Sequence, residues 1–264
     1  MSSTASPAGG PGTRKMSVLI TFEGGDGSGK STQADLLRRR LSEDGLPVLL
    51  VHEPGGTPLG ESIRRLVKSE SMSKRESLSP ISELYLFLAA RAQLVTSVIK
   101  PALSRPGAVV ICDRYMDSTV AYQGYGRRLS VGMVRSANEV AVDGVVPDLT
   151  FLLDLPPAVA ERRAGAQARL EGAADAGVPR LEPEGMRRFE EETAAFHRRV
   201  YDGYLKMAAS EPQRWRRVDA TKPEQDIAGE VRRLAEEVLV GLAHTASTTG
   251  DDDDKERCGQ PSLF

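Results

Sequence analysis

Short apolar runs at 18–22, 48–51, 108–112, 149–155 and 215–218 punctuate the chain. Most are continuous rather than alternating and rich in Val, Ile, Leu and Phe, as strands buried on both faces are. Segments near 30–44, 59–68, 81–103, 131–143, 188–209 and 224–243 carry helical spacing instead. Continuous strands separated by helices predict an α/β fold: a parallel sheet covered on both faces. No internal repeat is evident. Residues 164–185 break the alternation. They are rich in Ala, Gly, Glu and Arg, contain Pro179 and Pro183, and lack an apolar stripe. They read as a long excursion from the core, and a segment of about 162–188 is a candidate lid. Residues 1–16 are rich in Ser, Ala, Pro and Gly and read as a disordered tail. A second disordered tail is expected at 244–264. Its acidic run at 251–255 reads as solvated, and also spells an enteropeptidase cleavage site. The folded domain is therefore expected to span 17–243.

Composition narrows the partners. The 264 residues are 40% hydrophobic and 27% charged, with a formal net charge of −2. Such a balance gives no global field for nucleic acid or an anionic membrane, so any phosphate chemistry must come from local cations. No apolar run approaches the ~18 residues of a membrane span, and the N-terminus lacks the apolar core of a signal peptide. The two cysteines, Cys112 and Cys258, lie far apart and suggest no disulfide framework. A reducing, cytoplasmic location fits these features.

The most specific chemistry follows the first apolar run. Gly24, Gly29, Lys30 and Ser31 satisfy G-x-x-x-x-G-K-[ST], a phosphate-binding loop, between a strand-like run and a helical segment. The loop Gly24, Gly25, Asp26, Gly27, Ser28, Gly29 would turn backbone N–H groups toward phosphate oxygens. Lys30, Ser31 and Thr32 would then open the helix, whose N-terminal dipole also favours an anion. Lys30 is expected at the β- and γ-phosphates, with the Ser31 hydroxyl on Mg²⁺. A nucleoside triphosphate is the implied ligand.

Two further segments follow strand-like runs. In 111–126, ICDRYMDSTVAYQGYG, Asp113 ends an apolar run as a Walker-B carboxylate would, making it the second candidate Mg²⁺ ligand. Arg114 comes next, a guanidinium fork beside the metal site. Residues 53–65, EPGGTPLGESIRR, begin with Glu53. All three segments should meet at the C-terminal edge of the sheet, where open α/β sheets bind ligands. The guanine-reading N-K-x-D is absent, which argues against a GTPase and leaves ATP-type enzymes.

Taken in order, FEGGDGSGKST, EPGGTPLGESIR, Phe87 with Ala89-Ala90-Arg91, CDRYMDSTVAYQGYGR, Val146 to Thr150, and Arg188-Phe189-Glu190 followed by Phe196-His197 resemble the bacterial thymidylate kinases. The resemblance covers 17 to about 240. It implies a P-loop NTPase fold with a five-stranded parallel sheet flanked by helices and a mobile lid. It also implies ATP-dependent phosphorylation of dTMP to dTDP in dTTP biosynthesis, and a homodimer formed through helices. By the same resemblance, Asp26 lies near the acceptor 3′-hydroxyl, and Arg64 and Arg114 grip the acceptor phosphate. Glu53 belongs to the acceptor site. Phe87 stacks on thymine and Arg91 meets the base edge. Thr119 and Gln123 contact the base, and Tyr122 crowds the sugar 2′ position. Arg188 is the lid arginine, counted with Lys30, Arg114 and Asp26 among the catalytic set.

Three positions depart from the family pattern. His52 stands where an arginine is usual before E-P-G-G-T, Arg187 replaces the Asp of D-R-[ILF]-E, and Gly27 occupies a loop position where some members carry arginine. Arg162, Arg163, Arg169 and Arg180 are further lid candidates. Another nucleoside monophosphate kinase, or a catalytically weak nucleotide-binding regulator on the same fold, are the alternative readings. Turnover across a panel of monophosphates separates them.

Overall fold

The computed structural model describes residues 16–69, 78–163, 189 and 192–248, with the backbone alone for 241–248. Five strands form one parallel sheet: β1 Val18–Glu23, β2 Val48–His52, β3 Val109–Asp113, β4 Leu149–Asp154 and β5 Trp215–Asp219, in the order β2-β3-β1-β4-β5. All five strands predicted from the apolar runs are present. β1 lies at the centre and all six of its residues are buried. Its side chains alternate between two layers. Val18, Ile20 and Phe22 pack with helices α1 (Lys30–Glu43) and, near the C-terminus, α7 (Glu224–Thr248). Leu19 faces the opposite layer.

That layer holds α3, which runs Pro80–Leu94, passes through a π-helical turn at Val95–Ile99 and ends at Leu103. It packs between α2 (Pro58–Lys68) and α5 (Val131–Val142). Thr57, Ser79, Ser130 and Thr193 each accept a backbone N–H at a helix start, and Pro58 and Pro80 follow the first two. These are the capping residues that fix where a helix begins. Pro80–Leu103 is also long and apolar enough to cross a membrane, with a mean hydropathy of 1.3 over its best window. The sequence reading missed such a run because Glu83 and Arg91 interrupt it. Both are buried in the fold, as a core helix permits when charges are paired.

Two differences from the predicted elements matter. The segment after β3 is helical: α4, Met116–Thr119, leads straight into a π-helical turn at Val120–Gly126. Its polar residues face inward, so no apolar stripe signalled a helix. The helix expected at 188–209 is α6, Ala194–Ser210, starting at its Thr193 cap. At the other end, α7 continues past His244 to Thr248. Residues 1–15, 249–264 and nearly all of the expected lid, Arg169, Arg180, Arg187 and Arg188 included, lie outside the described residues.

Close approach fixes α6 against the π-helical turn. A Cβ at Gly126 would sit 2.7 Å from Phe196 Cε2, and one at Gly203 2.5 Å from Tyr125 Cδ2 and 2.7 Å from its Cγ. The Tyr125 atoms adjoin its own backbone, so the ring has little room to yield. Gly203→Ala should therefore destabilise the protein, because overpacking of roughly 1–3 kcal/mol exceeds a helix-propensity gain of roughly 0.5–1 kcal/mol. Gly229→Ala in α7, with nothing within 4 Å of its Cβ, should keep only the gain. Urea unfolding midpoints should move in opposite directions for the two variants.

Candidate active site

The phosphate loop leaves β1 through Gly24, whose φ is 141° and where a Cβ would lie 2.7 Å from Leu153 O. Only glycine fits that contact with the neighbouring strand. The loop closes through Gly27 (φ 73°) and Gly29 (φ 90°), and Gly29 opens α1. Lys30, the first residue of the helix, is 6% exposed and folds back over the loop. Its Nζ donates to Gly25 O at 2.7 Å and to Ser28 Oγ at 3.3 Å. Burial, then the neighbouring charge of Arg114, pushes its ammonium down to about 8. Gly25 and Ser28 thus brace the lysine. Thr32 is exposed on the first turn of α1.

Parallel pairing places Phe22 of β1 beside Asp113 of β3. Asp113 Oδ2 accepts from Ser31 Oγ at 2.5 Å, while its Oδ1 is buried with no hydrogen-bond partner. A hydroxyl and a carboxylate with an unpartnered oxygen are hard donors that suit Mg²⁺. That ion typically takes one or two protein oxygens and completes its shell with phosphate and water. No group of three or more His, Cys, Asp or Glu residues that could form an all-protein metal cage occurs among the described residues.

Arg114 begins the next turn in a left-handed conformation, φ 68°, its N–H continuing the strand ladder to Phe22 O at 3.0 Å. Nη2 meets Asp26 Oδ1 at 2.5 Å, and Nη1 reaches Gly24 O at 3.1 Å and Ser118 Oγ at 3.3 Å. These three bonds use three of the five guanidinium hydrogens. The Tyr122 hydroxyl oxygen also accepts from the guanidinium. The guanidinium carbon lies 5.1 Å from the Tyr122 ring centroid, and Tyr122 OH donates to Asp26 Oδ2 at 2.7 Å. Burial would raise the Asp26 carboxyl, but Arg114 and Lys30 outweigh it and hold it at about 2. Asp26, Lys30, Ser31, Asp113, Arg114 and Tyr122, predicted from separate motifs, therefore converge.

Arg91 is bound up in the protein. It is 1% exposed. Nε and Nη2 pair with the Glu53 carboxylate, Nη1 donates to Thr119 Oγ1 at 2.9 Å and Asn138 Oδ1 at 2.6 Å, and Nη2 also reaches Tyr115 O at 3.0 Å. All five donors are taken, so in this arrangement Arg91 offers no free hydrogen to a base edge and instead ties β2, α3, α4 and α5 together. Thr119 and Glu53 belong to the same buried hub. Gln123 is also turned inward, its Nε2 donating to Glu83 Oε1 at 2.8 Å, an oxygen that Arg127 shares. Arg91 and Gln123, expected to meet the base, both also engage protein partners in this arrangement.

Phe87 is half-buried, with its ring 5.9 Å from Phe189 and at 65° to it. Phe189 lies equally close to Tyr122, so the two expected substrate-facing rings share one aromatic neighbour. Arg64 Nη1 donates to Pro54 O at 3.2 Å, next to a cis Glu53–Pro54 bond. His52 pairs with Glu61 at 3.1 Å and covers Gly55, where a Cβ would fall 2.2 Å from its Nε2. It thus serves the loop after β2. Of the lid candidates, Arg162 and Arg163 are described and exposed, and Arg163 donates to Thr221 O at 3.2 Å. Arg188 lies outside the described residues.

Sequence reasoning missed Glu23, Ser118 and Tyr204. Glu23 is fully buried at the end of β1, accepting from Tyr115 N, Ser118 N, Ser118 Oγ and Tyr204 OH. The available signal was a carboxylate ending an otherwise apolar strand.

A family model described as thymidylate kinase matches residues 22–231. A thymidylate kinase from Dehalococcoides mccartyi is 45% identical over 218 residues, covering 83% of this chain and 95% of that protein. One from Thermomicrobium roseum is 46% identical over 226 residues, covering 85% and 97%. The crystal structure of a thymidylate kinase from Ehrlichia chaffeensis superposes with a TM-score of 0.61 at 34% identity, covering 84% of this chain and 99% of that one. Matches of this extent, over a P-loop sheet whose motif residues meet at one edge, establish that the chain belongs to the thymidylate kinase family.

Proposed function

We propose that this chain transfers the γ-phosphoryl group of ATP to dTMP, giving dTDP, with Mg²⁺, as a cytoplasmic homodimer. The observation that carries the reading is Arg114. It is held by Asp26, Gly24 O and Ser118, and it directly follows Asp113, the partner of Ser31. An acceptor phosphate at Arg114 would stand beside a donor in the phosphate loop. Family membership supports the same pair of substrates.

The acceptor needs little activation. A phosphate monoester has a second pKa of about 6 and is largely ionised at pH 7, so no general base is required. What opposes transfer is the approach of two anions. Lys30 would exchange its bonds to Gly25 O and Ser28 for phosphate oxygens, and Arg114 would fix the acceptor in line. Mg²⁺, when bound at Ser31 and Asp113, supplies charge neutralisation across the donor phosphates. Tyr122, 7% exposed and anchored on Asp26, would present its ring to the sugar.

Leu59 and Leu66 on α2, Ile81 and Tyr85 on α3, and Met133 and Val140 on α5 are exposed, with Tyr85 64% and Val140 82% accessible. The three helices are neighbours in one layer. An apolar face spread across adjacent helices supports self-association.

Turnover across dTMP, dUMP, UMP and dCMP tests the reading. dTMP should be preferred to dUMP by roughly 10–200-fold, the range for a single methyl in an apolar pocket. Tyr122→Ala should erode rejection of UMP relative to dUMP. Equal use of all four would defeat the assignment, and no turnover at all would favour the regulatory alternative. Arg114→Ala should lower kcat/KM for dTMP by ~10²-fold or more, as loss of acceptor alignment does, with ATP KM nearly unchanged. A defect confined to ATP would move Arg114 to the donor side. Tyr85→Asp should shift the sedimentation coefficient toward that of a monomer. An unchanged value would remove this face from the interface.

A further inference from the structure

Glu23 is a carboxylate buried beside the site with no role in the transfer described so far. Its two oxygens have different duties. Oε1 accepts two backbone hydrogens, from Tyr115 N at 2.8 Å and Ser118 N at 3.2 Å. Oε2 accepts from Ser118 Oγ at 2.6 Å and Tyr204 OH at 2.9 Å. Ser118 has one hydroxyl hydrogen, and Glu23 takes it. The Ser118 oxygen is then left as an acceptor, and it receives Arg114 Nη1 at 3.3 Å. Ser118 Oγ and Tyr204 OH also lie 2.9 Å apart. The shorter contact, 2.6 Å to a carboxylate that only accepts when ionised, assigns the serine hydrogen to Glu23, and the Tyr204 hydrogen is shared between Glu23 Oε2 and Ser118 Oγ.

We propose that Glu23 is a positioning residue for the transfer: by taking the Ser118 hydrogen it turns the Ser118 oxygen toward Arg114 and so sets the guanidinium at the acceptor phosphate. The inference rests on the reading of Arg114 given above. A backbone-tethering role alone would not need a charge, because an amide oxygen accepts from Tyr115 N and Ser118 N equally well. The second oxygen is what distinguishes the two.

Glu23→Gln isolates that oxygen. The two backbone N–H groups hold the amide oxygen at the Oε1 place, so the NH₂ must occupy the Oε2 place. Two amide hydrogens then join those of Ser118, Tyr204 and Arg114 around two hydroxyl oxygens. Each hydroxyl accepts at most two, so at least one hydrogen is left facing another donor. The Arg114 bond, the longest of the set, is the one to yield. Tyr204 belongs to α6, so the same cluster also joins that helix to the loop after β3.

Steady-state kinetics should be measured at pH 8, because burial, aided by the charge of Asp117, raises Glu23 to about 7. Glu23→Gln should lower kcat/KM for dTMP by roughly ten-fold, the scale of one charge-directed hydrogen bond, with ATP KM within about two-fold and little change in Tm. Ser118→Ala, which removes the link itself, should show the same split to a smaller degree. On an Arg114→Ala background, Glu23→Gln should add almost nothing, since its effect runs through the missing guanidinium. A matching rise in ATP KM, a full ten-fold loss on the Arg114→Ala background, or a silent Ser118→Ala would each overturn the inference. If Glu23→Gln fails to fold, Ser118→Ala decides alone. Should Arg114→Ala itself spare dTMP, the acceptor assignment fails, and that result is read from Arg114→Ala before Glu23 is touched.

Discussion

The parallel pairing of β1 with β3 is the constraint on which the site depends. Register sets Phe22 against Asp113, and Arg114 N extends the ladder by one more bond to Phe22 O. The phosphate loop and the Asp113–Arg114 pair therefore leave the sheet side by side. β4, on the other flank, adds the limit that Gly24 must lack a side chain, because Leu153 O occupies that space. A shift of one residue in β1 would invert its side chains between the two layers. It would expose Ile20 and Phe22 to the wrong neighbours as well as separating Ser31 from Asp113. Packing and chemistry thus select the same register.

Behind this edge lies a layer of buried charge. Arg91 with Glu53, Arg214 with Asp117, and Arg127 with Glu83 are each paired through more than one hydrogen bond. Burying ions is costly unless geometry satisfies nearly every donor and acceptor. Here it does: Arg91 has all five hydrogens accepted, and Arg214 also reaches Thr150 Oγ1 at 2.8 Å. These pairs join segments distant in sequence. Their chemical return is directional rigidity, since an apolar core would tolerate small slides that a bidentate ion pair does not. A site that must align two phosphates needs that rigidity most.

The sheet was legible because its strands are nearly continuous apolar runs, and buried parallel strands require them. The phosphate loop was legible because its glycines answer to backbone angles, as Gly27 and Gly29 confirm. The segment 116–126 was not readable as a helix: Asp117, Thr119, Tyr122 and Gln123 face inward, against the usual polarity. The resemblance supplied Arg91 and Gln123 as base contacts, and their burial and protein partners are properties of the fold that it did not supply. A sequence does not say whether a guanidinium's five hydrogens are already accepted. Glu23 was overlooked for the same reason. Its place in a strand concealed that four donors converge on it.

On the proposed function Asp26 poses a last question, since a carboxylate beside two phosphates ought to repel them. Its partners answer it. Arg114 and Lys30 hold it ionised, and in return it fixes one end of the Arg114 fork and the Tyr122 hydroxyl. Without it, Arg114 would keep its Nη1 bonds to Gly24 O and Ser118 Oγ but lose the bond that fixes its Nη2 edge. With it, the guanidinium is already oriented, and the entropy of alignment is met during folding rather than during transfer. The repulsion is tolerable because the carboxylate engages only one edge of the fork. Gly27 contributes no side chain, so the described loop has no second cation to spare. Orientation of the one beside it therefore matters more than the charge Asp26 removes.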